Sequence, residues 1–303
     1  MERLIRDKFI AAGFLVGYVA AEDAKFGPWY TNWLERGYQA GMSYMERNLD
    51  LREDPASIEP WGKSFIVLAY PYKTPAPAGW EVKNPISRYA WGKDYHKELK
   101  KLIKPILREL EAEIGPFQHR MFTDSAPLPE KLLAQRAGLG FIGKNSLLIN
   151  RSHGSYIFLA EVLTDLDLTS STVEEQEGCG TCTQCRDHCP GDAIQPKSMI
   201  NANRCISYLT IEKKGEFQQY EKLILDYQLF GCDICQECCP YNQDKPLQGD
   251  SPFSPLERWQ GLTPDQVLGW SPEDFEKFKI NSPIKRTGLE GMRRNGEALL
   301  NKN

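Results

Sequence analysis

The stretch Cys179–Pro190 reads CGTCTQCRDHCP, and a second run, CDICQECCP, follows at Cys232–Pro240. The first run has the spacing C-x2-C-x2-C-x3-C-P, and the C-x3-C-P pattern recurs in the second run at Cys235 and Cys239. Eight of the nine cysteines of the 303-residue chain lie in these two runs. The fold of this part of the chain must therefore be built around whatever the cysteines hold.

The spacing of the first run is that of bacterial ferredoxins, in which a final Cys-Pro cysteine binds the other of two 4Fe–4S clusters. Zinc sites more often use paired C-x2-C units with four ligands to one ion, so the pattern favours iron–sulfur clusters. Disulfides are the least favoured alternative, because we expect the chain to remain in a reducing compartment. The two runs together predict a ferredoxin-like module with two 4Fe–4S clusters.

Spacing also predicts how the cysteines divide between the clusters. Because Cys239 matches Cys189 in the repeated pattern, each crosses over to the other cluster. The first cluster is then held by Cys179, Cys182, Cys185 and Cys239. The second takes Cys189, Cys232 and Cys235, and spacing leaves either Cys238 or Cys205 as its fourth ligand.

Composition excludes several classes of protein. The chain is 41% hydrophobic, which is ordinary for a globular protein, and its length allows two domains. The N-terminal residues show neither a signal peptide nor a membrane span, so we expect a cytoplasmic protein without membrane contact. The net charge of −4 gives no global indication of nucleic-acid binding, which would need local basic patches.

Three regions follow from the pattern of the chain. Residues 1–168 alternate strands such as SFIVLAYPY (64–72) with helices such as 94–114, where Pro105 predicts a kink, and form an α/β (α+β) domain. SLLIN (146–150) and 155–168 are predicted to form a hairpin, and a Pro-rich loop is expected up to Pro85. Residues 169–246 hold the ferredoxin-like domain, entered through the polar linker 169–178, and 247–303 form a short helical tail.

A module with two clusters transfers single electrons, so the preceding domain should contain the group that receives them. A free electron carrier would need little more than the cluster module. Sequence segments across most of the chain resemble the epoxyqueuosine reductase family, cobalamin-dependent iron–sulfur enzymes that complete queuosine in tRNA. The segments that carry the resemblance are the cysteine runs with TDSAPLPEKLLAQRAGLGFIGKNSLLIN (123–150), RCISYLTIEKKG (204–215) and SPIKRTGLEGMRRN (282–295).

The resemblance implies base-off cobalamin in the N-terminal domain, which would be similar to the cobalamin domains of reductive dehalogenases, with one cluster near the cobalt. It also implies that Cys205 is the fourth ligand of the second cluster and that Cys238 binds no iron. A cysteine beside the Cys-Pro cysteine departs from the family pattern. The implied reaction converts an epoxide to an alkene and consumes two electrons and two protons.

Asp124 matches the acid of the family's DSAP motif, so the resemblance implies that it is the general acid that protonates the leaving oxygen. Burial against the corrin face would raise its pKa enough for that role. The alternative is structural: an Asp before SAPLPEKLL is well placed to cap the following helix.

Cobalamin contacts are expected from segments that combine hydrogen-bond donors with aromatic rings, because a corrinoid has amide arms and a phosphate tail. His96 is not expected to bind cobalt, since the family binds cobalamin without a protein ligand, and a surface cluster at a helix start is the alternative for residues 86–96. The glycine pattern 138–143 follows a helix, so it is not a dinucleotide fingerprint. We expect it to approach the corrin instead. The predicted contacts are Arg47, Arg88, Lys93, Tyr95, His96, Asp124, Lys144, Asn145, Ser146 and Ser207.

The tRNA partner is expected to bind through its anticodon stem-loop, with GUN anticodons, and Lys213 is implied as a contact to that loop. Longer members of the family continue into helical repeats, whereas this sequence stops at Asn303, so the core and the basic tail would supply the RNA contacts. Solvated surface charge is the alternative. The predicted tRNA-binding residues are Lys213, Lys214, Lys285, Arg286, Arg293 and Arg294.

Two other functions compete with the reductase. A corrinoid reductase of small molecules, such as a dehalogenase, is typically exported with a twin-arginine signal, which is not found here. A protein that reduces cobalamin for a partner would need neither Asp124 nor basic residues near the active site. For the reductase we expect an external electron donor, such as a flavodoxin or ferredoxin, and a monomer that leaves the active site open to tRNA.

Overall fold

The computed structural model describes residues 1–76, 85–169, 178–249 and 251–301. Most of the predicted linker 169–178 and much of the Pro-rich loop before Pro85 lie outside these ranges. Within the described ranges, no helix has both the length and the apolar character needed to cross a membrane.

The N-terminal region combines helices with a central sheet, which confirms the predicted mixture of α and β structure. Its α-helices are α1 (Glu2–Ala11), α2 (Pro28–Glu35), α3 (Leu49–Glu53), α4 (Tyr95–Ile114) and α5 (Glu130–Arg136). Its strands are β1 (Leu15–Ala20), β2 (Ser64–Pro71), β3 (His119–Phe122), β4 (Phe141–Ile142), β5 (Leu148–Ile149) and β6 (Ile157–Thr164).

The central sheet has the strand order β1-β2-β6-β3, and all of its neighbours are antiparallel. Its central strand β2 is apolar at nearly every position because both faces of the sheet are covered by helices. The predicted hairpin of 146–150 with 155–168 is wrong. Strand β5 pairs with β4, whereas β6 pairs with β2 and β3, both distant in the chain.

The two faces of the sheet bind different helices. Helices α1 and α4 pack through residues such as Phe9 and Leu99 on one face, and α5 packs through Leu133 on the other. Gly17 of β1 allows the end of α5 to approach closely, since a Cβ atom there would lie 2.1 Å from the carbonyl oxygen of Ala137. The apolar burial on both faces fixes the sheet as a rigid support for the loops at its edge.

The cysteine region, which contains both cysteine runs, is built from short elements of two to six residues. Its strands are β7 (Ile194–Gln195) and β8 (Met199–Ile200), which pair antiparallel. Its helices are α6 (Gln184–Asp187), α7 (Ile206–Ile211), α8 (Gln219–Ile224) and α9 (Ile234–Glu237). Helices α6 and α9 carry Cys185 and Cys235 and contact each other, so the repeated cysteine pattern becomes a repeated structure.

The tail folds onto both preceding regions. It contains α10 (Pro264–Leu268), α11 (Pro272–Lys279) and α12 (Gly288–Leu300). Trp259 is fully buried, and its indole N–H donates a hydrogen bond to the carbonyl oxygen of Trp91 at 2.8 Å. Asn295 is also fully buried, and its amide donates to the carbonyl oxygens of Thr210 and Leu229, both at 2.8 Å.

Candidate active site

A cavity of about 430 Å³ lies between the sheet region and the cysteine region. The N-terminal side supplies aromatic rings and polar groups, including Tyr72, Tyr95, Asp124, Asn145, Ser146 and Phe158. The other side contains Cys189, Cys205, Ser207, Cys232 and Cys235. The cavity thus brings Asp124 together with four of the nine cysteines, although these residues are far apart in the sequence.

The four cysteines at the cavity, Cys189, Cys205, Cys232 and Cys235, are called here the second cysteine set. Burial raises the pKa of Cys205, Cys232 and Cys235, and the charge of a neighbouring thiolate in the set raises each further. The backbone N–H of Ala193 donates to the sulfur of Cys189 at 3.3 Å. Buried thiolates without positive charge repel one another, and iron bound to them would offset this repulsion.

Cys179, Cys182, Cys185 and Cys239 form the first cysteine set, which lies outside the cavity. Burial raises the pKa of Cys185, and the charges of the other three members raise it further. The ninth cysteine, Cys238, lies near this set: its pKa is raised to about 11 by burial and by the charges of Cys185 and Cys239. Cys238 therefore lies away from the second set, which Cys205 joins.

Asp124 follows strand β3 in a tight turn and has left-handed backbone geometry, with φ of 46°. Its Oδ2 atom accepts a hydrogen bond from the Tyr95 hydroxyl at 3.2 Å and lies 3.6 Å from Nε2 of His96. The carboxyl is 71% exposed, so a bound ligand would have to provide its burial. Asp124 does not cap α5, because that helix begins at Glu130 with Pro129 in the N-cap position.

The first turn of α4 positions Tyr95 and His96 beside Asp124. The side chain of Asp94 caps this helix and accepts hydrogen bonds from the backbone N–H of His96 at 3.2 Å and from its Nδ1 at 2.7 Å. Burial alone would lower the pKa of His96, but its hydrogen bonds to Asp124 and Asp94 raise it to about 9. The imidazole is therefore protonated at neutral pH and cannot bind a metal in that state.

The predicted cobalamin contacts separate into two groups. The cavity is lined by Tyr95, Asp124, Asn145, Ser146 and Ser207. The residues that do not line it are Arg47, Arg88, Lys93, His96 and Lys144.

Arg88 and Lys144 of the latter group bind elsewhere in the protein. The guanidinium of Arg88 lies 4.4 Å from the centre of the Trp91 ring and donates to the carbonyl oxygen of Thr74 at 3.1 Å. The ammonium of Lys144 donates to the carbonyl oxygens of Gly180 and Cys182 at 2.8 and 2.7 Å. Lys144 therefore holds the loop of the first cysteine set.

The glycines near Lys144 also serve local packing. A Cβ atom on Gly140 would lie 2.4 Å from the carbonyl oxygen of Ile149, and one on Gly143 would meet the side chain of the same residue. These glycines allow β4 and β5 to pair closely. The close contacts of Gly140 and Gly143 are thus with β5 of the same protein, whereas the sequence predicted an approach to the corrin.

Most of the predicted tRNA-binding residues have partners within the protein. Lys213 pairs with buried Glu221 at 3.1 Å, Lys285 with Asp94 at 2.8 Å and Arg286 with Glu212 at 2.5 Å. Their charges are therefore partly neutralised by these carboxylates.

The two remaining arginines, Arg293 and Arg294, bind backbone carbonyl oxygens, whereas the remaining lysine, Lys214, is exposed. Arg294 donates to the carbonyl oxygens of Leu209, Lys213 and Gly215, and Arg293 donates to that of Trp270. The side chain of Lys214 is exposed. Lys214 is thus the predicted residue best placed to meet an external phosphate.

Sequence reasoning did not identify Glu130 and Lys131, which also line the cavity. Glu130 accepts a hydrogen bond from the backbone N–H of Asp124 at 2.5 Å, and Lys131 donates to the carbonyl oxygen of Ser146 at 2.6 Å. The sequence offered one indication of their role, which is that they follow Asp124 by six and seven residues. Charged residues in these positions are also typical of any helix start, so the sequence alone did not single them out.

Comparison with known proteins agrees with this geometry. Residues 178–242 match the model of a 4Fe–4S double cluster binding domain, which covers both cysteine sets. The fold and the site therefore define an iron–sulfur protein with two 4Fe–4S clusters. Residues 52–125, which end just after Asp124, match the model described as "Epoxyqueuosine reductase QueG, DUF1730".

Curated relatives and solved structures identify the family. The chain is 41% identical over 275 residues to the epoxyqueuosine reductase of Cyclobacterium marinum, covering 88% of this chain and 86% of the relative. It is 39% identical to that of Pseudomonas aeruginosa, covering 87% and 74%. A crystal structure of epoxyqueuosine reductase with a modified tRNA-Tyr stem loop matches at a TM-score of 0.86 and 28% identity, over 99% of this chain and 80% of that one. The chain belongs to the epoxyqueuosine reductase family.

Proposed function

We propose that this protein removes the epoxide oxygen of epoxyqueuosine in tRNA and so forms queuosine. The reaction takes up two electrons and two protons, breaks both carbon–oxygen bonds of the epoxide, and releases water. The observation that carries the proposal is that one cavity contains Asp124 and the second cysteine set. The relatives, all named epoxyqueuosine reductases, support it.

The donor sets suit two iron–sulfur clusters. The first cysteine set would hold one cluster and the second set the other, with Cys205 as its fourth ligand and Cys238 left without iron. Among the described residues, no three side chains of His, Cys, Asp or Glu are arranged around a single metal ion. The spacing of the cysteines, which is that of bacterial ferredoxins, favours iron–sulfur clusters over zinc. Electrons would then enter from an external flavodoxin or ferredoxin and reach the cavity through the second set.

The cavity also suits cobalamin. Its walls combine flat rings, such as Tyr95 stacked on Phe158 at 4.6 Å, with the hydrogen-bonding groups of Asn145, Ser146 and Ser207. Large ligands with amide arms are recognised by such a mixture of apolar surface and a few polar groups. Cobalamin, when bound, supplies a reduced metal centre that delivers electrons to the substrate.

Asp124 would act as the general acid that protonates the epoxide oxygen. The Tyr95 hydroxyl and the His96 imidazolium both contact Oδ2, so they orient the carboxyl. A bound corrin and nucleotide would cover the exposed carboxyl and exclude water from it. Desolvation of this kind favours the protonated acid.

Binding of tRNA would place the modified base in the cavity and the anticodon loop near the end of α7. A relative has been solved with an epoxyqueuosine-modified tRNA stem loop, which supports the same partner here. We infer that Lys214 contacts phosphate directly. Lys213 is paired with Glu221, which partly neutralises its charge toward phosphate. We expect a cytoplasmic monomer that prefers tRNAs with GUN anticodons.

One assay tests the function. The protein is reconstituted anaerobically with iron, sulfide and cobalamin, reduced, and incubated with epoxyqueuosine-containing tRNA, and the nucleosides are then analysed by mass spectrometry. Loss of one oxygen from the modified base, dependent on cobalamin, is the expected result. No conversion by fully loaded protein would contradict the proposal.

A further inference from the structure

Three carboxyl groups lie close together beyond the end of β3. Glu161 of β6 is the sheet partner of Phe122, and Asp124 follows Phe122 by two residues. Glu130 accepts the backbone N–H of Asp124 at 2.5 Å and lines the cavity beside it. The proposed function uses only Asp124 and gives no role to the other two.

Glu161 is the most deeply placed of the three. It is 0% exposed, and neither of its oxygens forms a hydrogen bond of ordinary geometry with the described residues. Burial raises its pKa far above the usual range, and the charge of Glu130 raises it further. An ionised carboxylate in such surroundings is very costly, so Glu161 carries a proton at neutral pH.

Glu130 stands between Glu161 and Asp124. Burial is the main cause that raises the pKa of Glu130, and the charge of Asp124 is the second; the raised pKa is about 8. The other ionisable groups that interact with it are His96 and Tyr95 of α4 and its neighbour Lys131. Burial and the Asp124 charge both oppose ionisation of Glu130, so Glu130 holds a proton at neutral pH.

We propose that Glu130, supported by Glu161, stores the second proton of the reaction and transfers it to Asp124. This inference rests on the proposed function, which requires two protons on the same oxygen. Once a tRNA covers the cavity, both protons must already be inside. Asp124 alone can hold only one of them.

Both protons reach the substrate oxygen through Asp124, one after the other. Asp124 gives its proton to the epoxide oxygen as the first carbon–oxygen bond breaks, and becomes a carboxylate. Glu130 then gives its proton to Asp124 and becomes the carboxylate in turn. The second donation from Asp124 converts the hydroxyl group into departing water as the second bond breaks. The two electrons come from the reduced clusters, and Glu130 takes up a proton again after the product leaves.

The first test uses the protein reconstituted with its clusters and cobalamin, without tRNA. Glu130→Gln keeps an oxygen that can accept the Asp124 N–H but removes the proton that titrates. In the wild type, the proton held by Glu130 in the folded state makes stability fall as the pH rises from about 5 to about 9. The raised pKa of His96 also makes stability fall as the pH rises. The informative quantity is therefore the difference in pH dependence between the variant and the wild type. The urea midpoint of Glu130→Gln should depend less steeply on pH.

The matched control is Glu22→Gln, which changes an exposed glutamate just after β1. It should show the same pH dependence as the wild type. Identical pH dependence in Glu130→Gln and wild type would overturn the proton store. This result does not depend on activity, so it separates failure of the store from failure of the proposed function.

The second test measures turnover. Glu130→Gln should lower kcat roughly tenfold to hundredfold, within the usual range for loss of a proton donor, with KM for tRNA little changed. The alkaline limb of the pH–rate profile should also shift. A kcat within about twofold of wild type and an unchanged profile would contradict the proposal, since a merely structural role is preserved by the amide.

Discussion

The ammonium nitrogen of Lys285 lies 2.8 Å from Oδ2 of Asp94, which joins the C-terminal tail to the first turn of α4. Asp94 is almost fully buried and also receives hydrogen bonds from His96. Burial alone would raise the pKa of Asp94, but the hydrogen bonds from His96 and Lys285 hold it below its usual range. The tail therefore stabilises the turn that presents Tyr95 and His96 to Asp124.

Lys285→Met should lower the free energy of unfolding by about 1 kcal/mol at neutral pH, because Asp94 keeps its His96 partner and Lys285 is half exposed. The loss should shrink as the pH falls below about 4, where Asp94 is protonated in the unfolded state and its folded-state advantage disappears. Urea unfolding as a function of pH measures both effects. The exposed Lys104→Met on α4 is the control, and an equal loss there would show that the contact with Asp94 is unimportant.

Asp124→Asn should keep both clusters and cobalamin but lower turnover by about 10² to 10⁴-fold, because the amide cannot supply the proton. The measurements are iron content, the visible spectrum of bound cobalamin, and nucleoside mass spectrometry. Asp167→Asn, at an exposed position beyond β6, should behave like wild type. Near-normal turnover in Asp124→Asn would exclude it as the acid.

Cys205→Ser and Cys238→Ser form a matched pair that tests the ligand sets. Cys205 lines the cavity with the second set, whereas Cys238 lies near the first. Cys205→Ser should lose about half of the iron, because one of two four-iron clusters is destabilised. Cys238→Ser should retain all of it. Iron and sulfide analysis with electron paramagnetic resonance of the reduced protein would show the reverse pattern if Cys238 were the ligand.

Lys214→Ala should weaken tRNA binding and reduce the slope of log K against log salt by about 0.7 to 0.9, as expected when one phosphate contact is lost. Lys277→Ala, an exposed lysine on α11, is the control. Filter binding of unmodified anticodon stem-loop over a range of salt concentrations gives both slopes. Equal slopes for the two variants would mean that Lys214 meets no phosphate.

The sequence predicted those features that depend on local pattern. Strand 64–72 corresponds to β2, and helix 94–114 corresponds to α4 with Asp94 as its cap. The cysteine spacing and the family resemblance pointed to two clusters, in agreement with the double-cluster match. The domain boundary near 168 stays a prediction, because residues 170–177 lie outside the described ranges.

Features that depend on distant partners could not be predicted in this way. The apolar run of β5 suits any neighbouring strand, and only the folded chain shows that it pairs with β4 and leaves β6 to β2 and β3. A basic residue such as Arg294 looks like solvated or RNA-binding charge until its three carbonyl partners are known. Glu130 became visible only through its contact with Asp124.

The bonds from Arg294 and Asn295 to α7 and the turn after it have a consequence for how the protein is made. Cys205 is the N-cap residue of α7, so a member of the second cysteine set lies on an element that the last helix of this chain holds in place. Domains fold from the N-terminus as the ribosome delivers them. Stable loading of the cavity-side cluster should therefore come after α12 has been synthesised, which makes delivery of iron and sulfide a late event in the maturation of this enzyme.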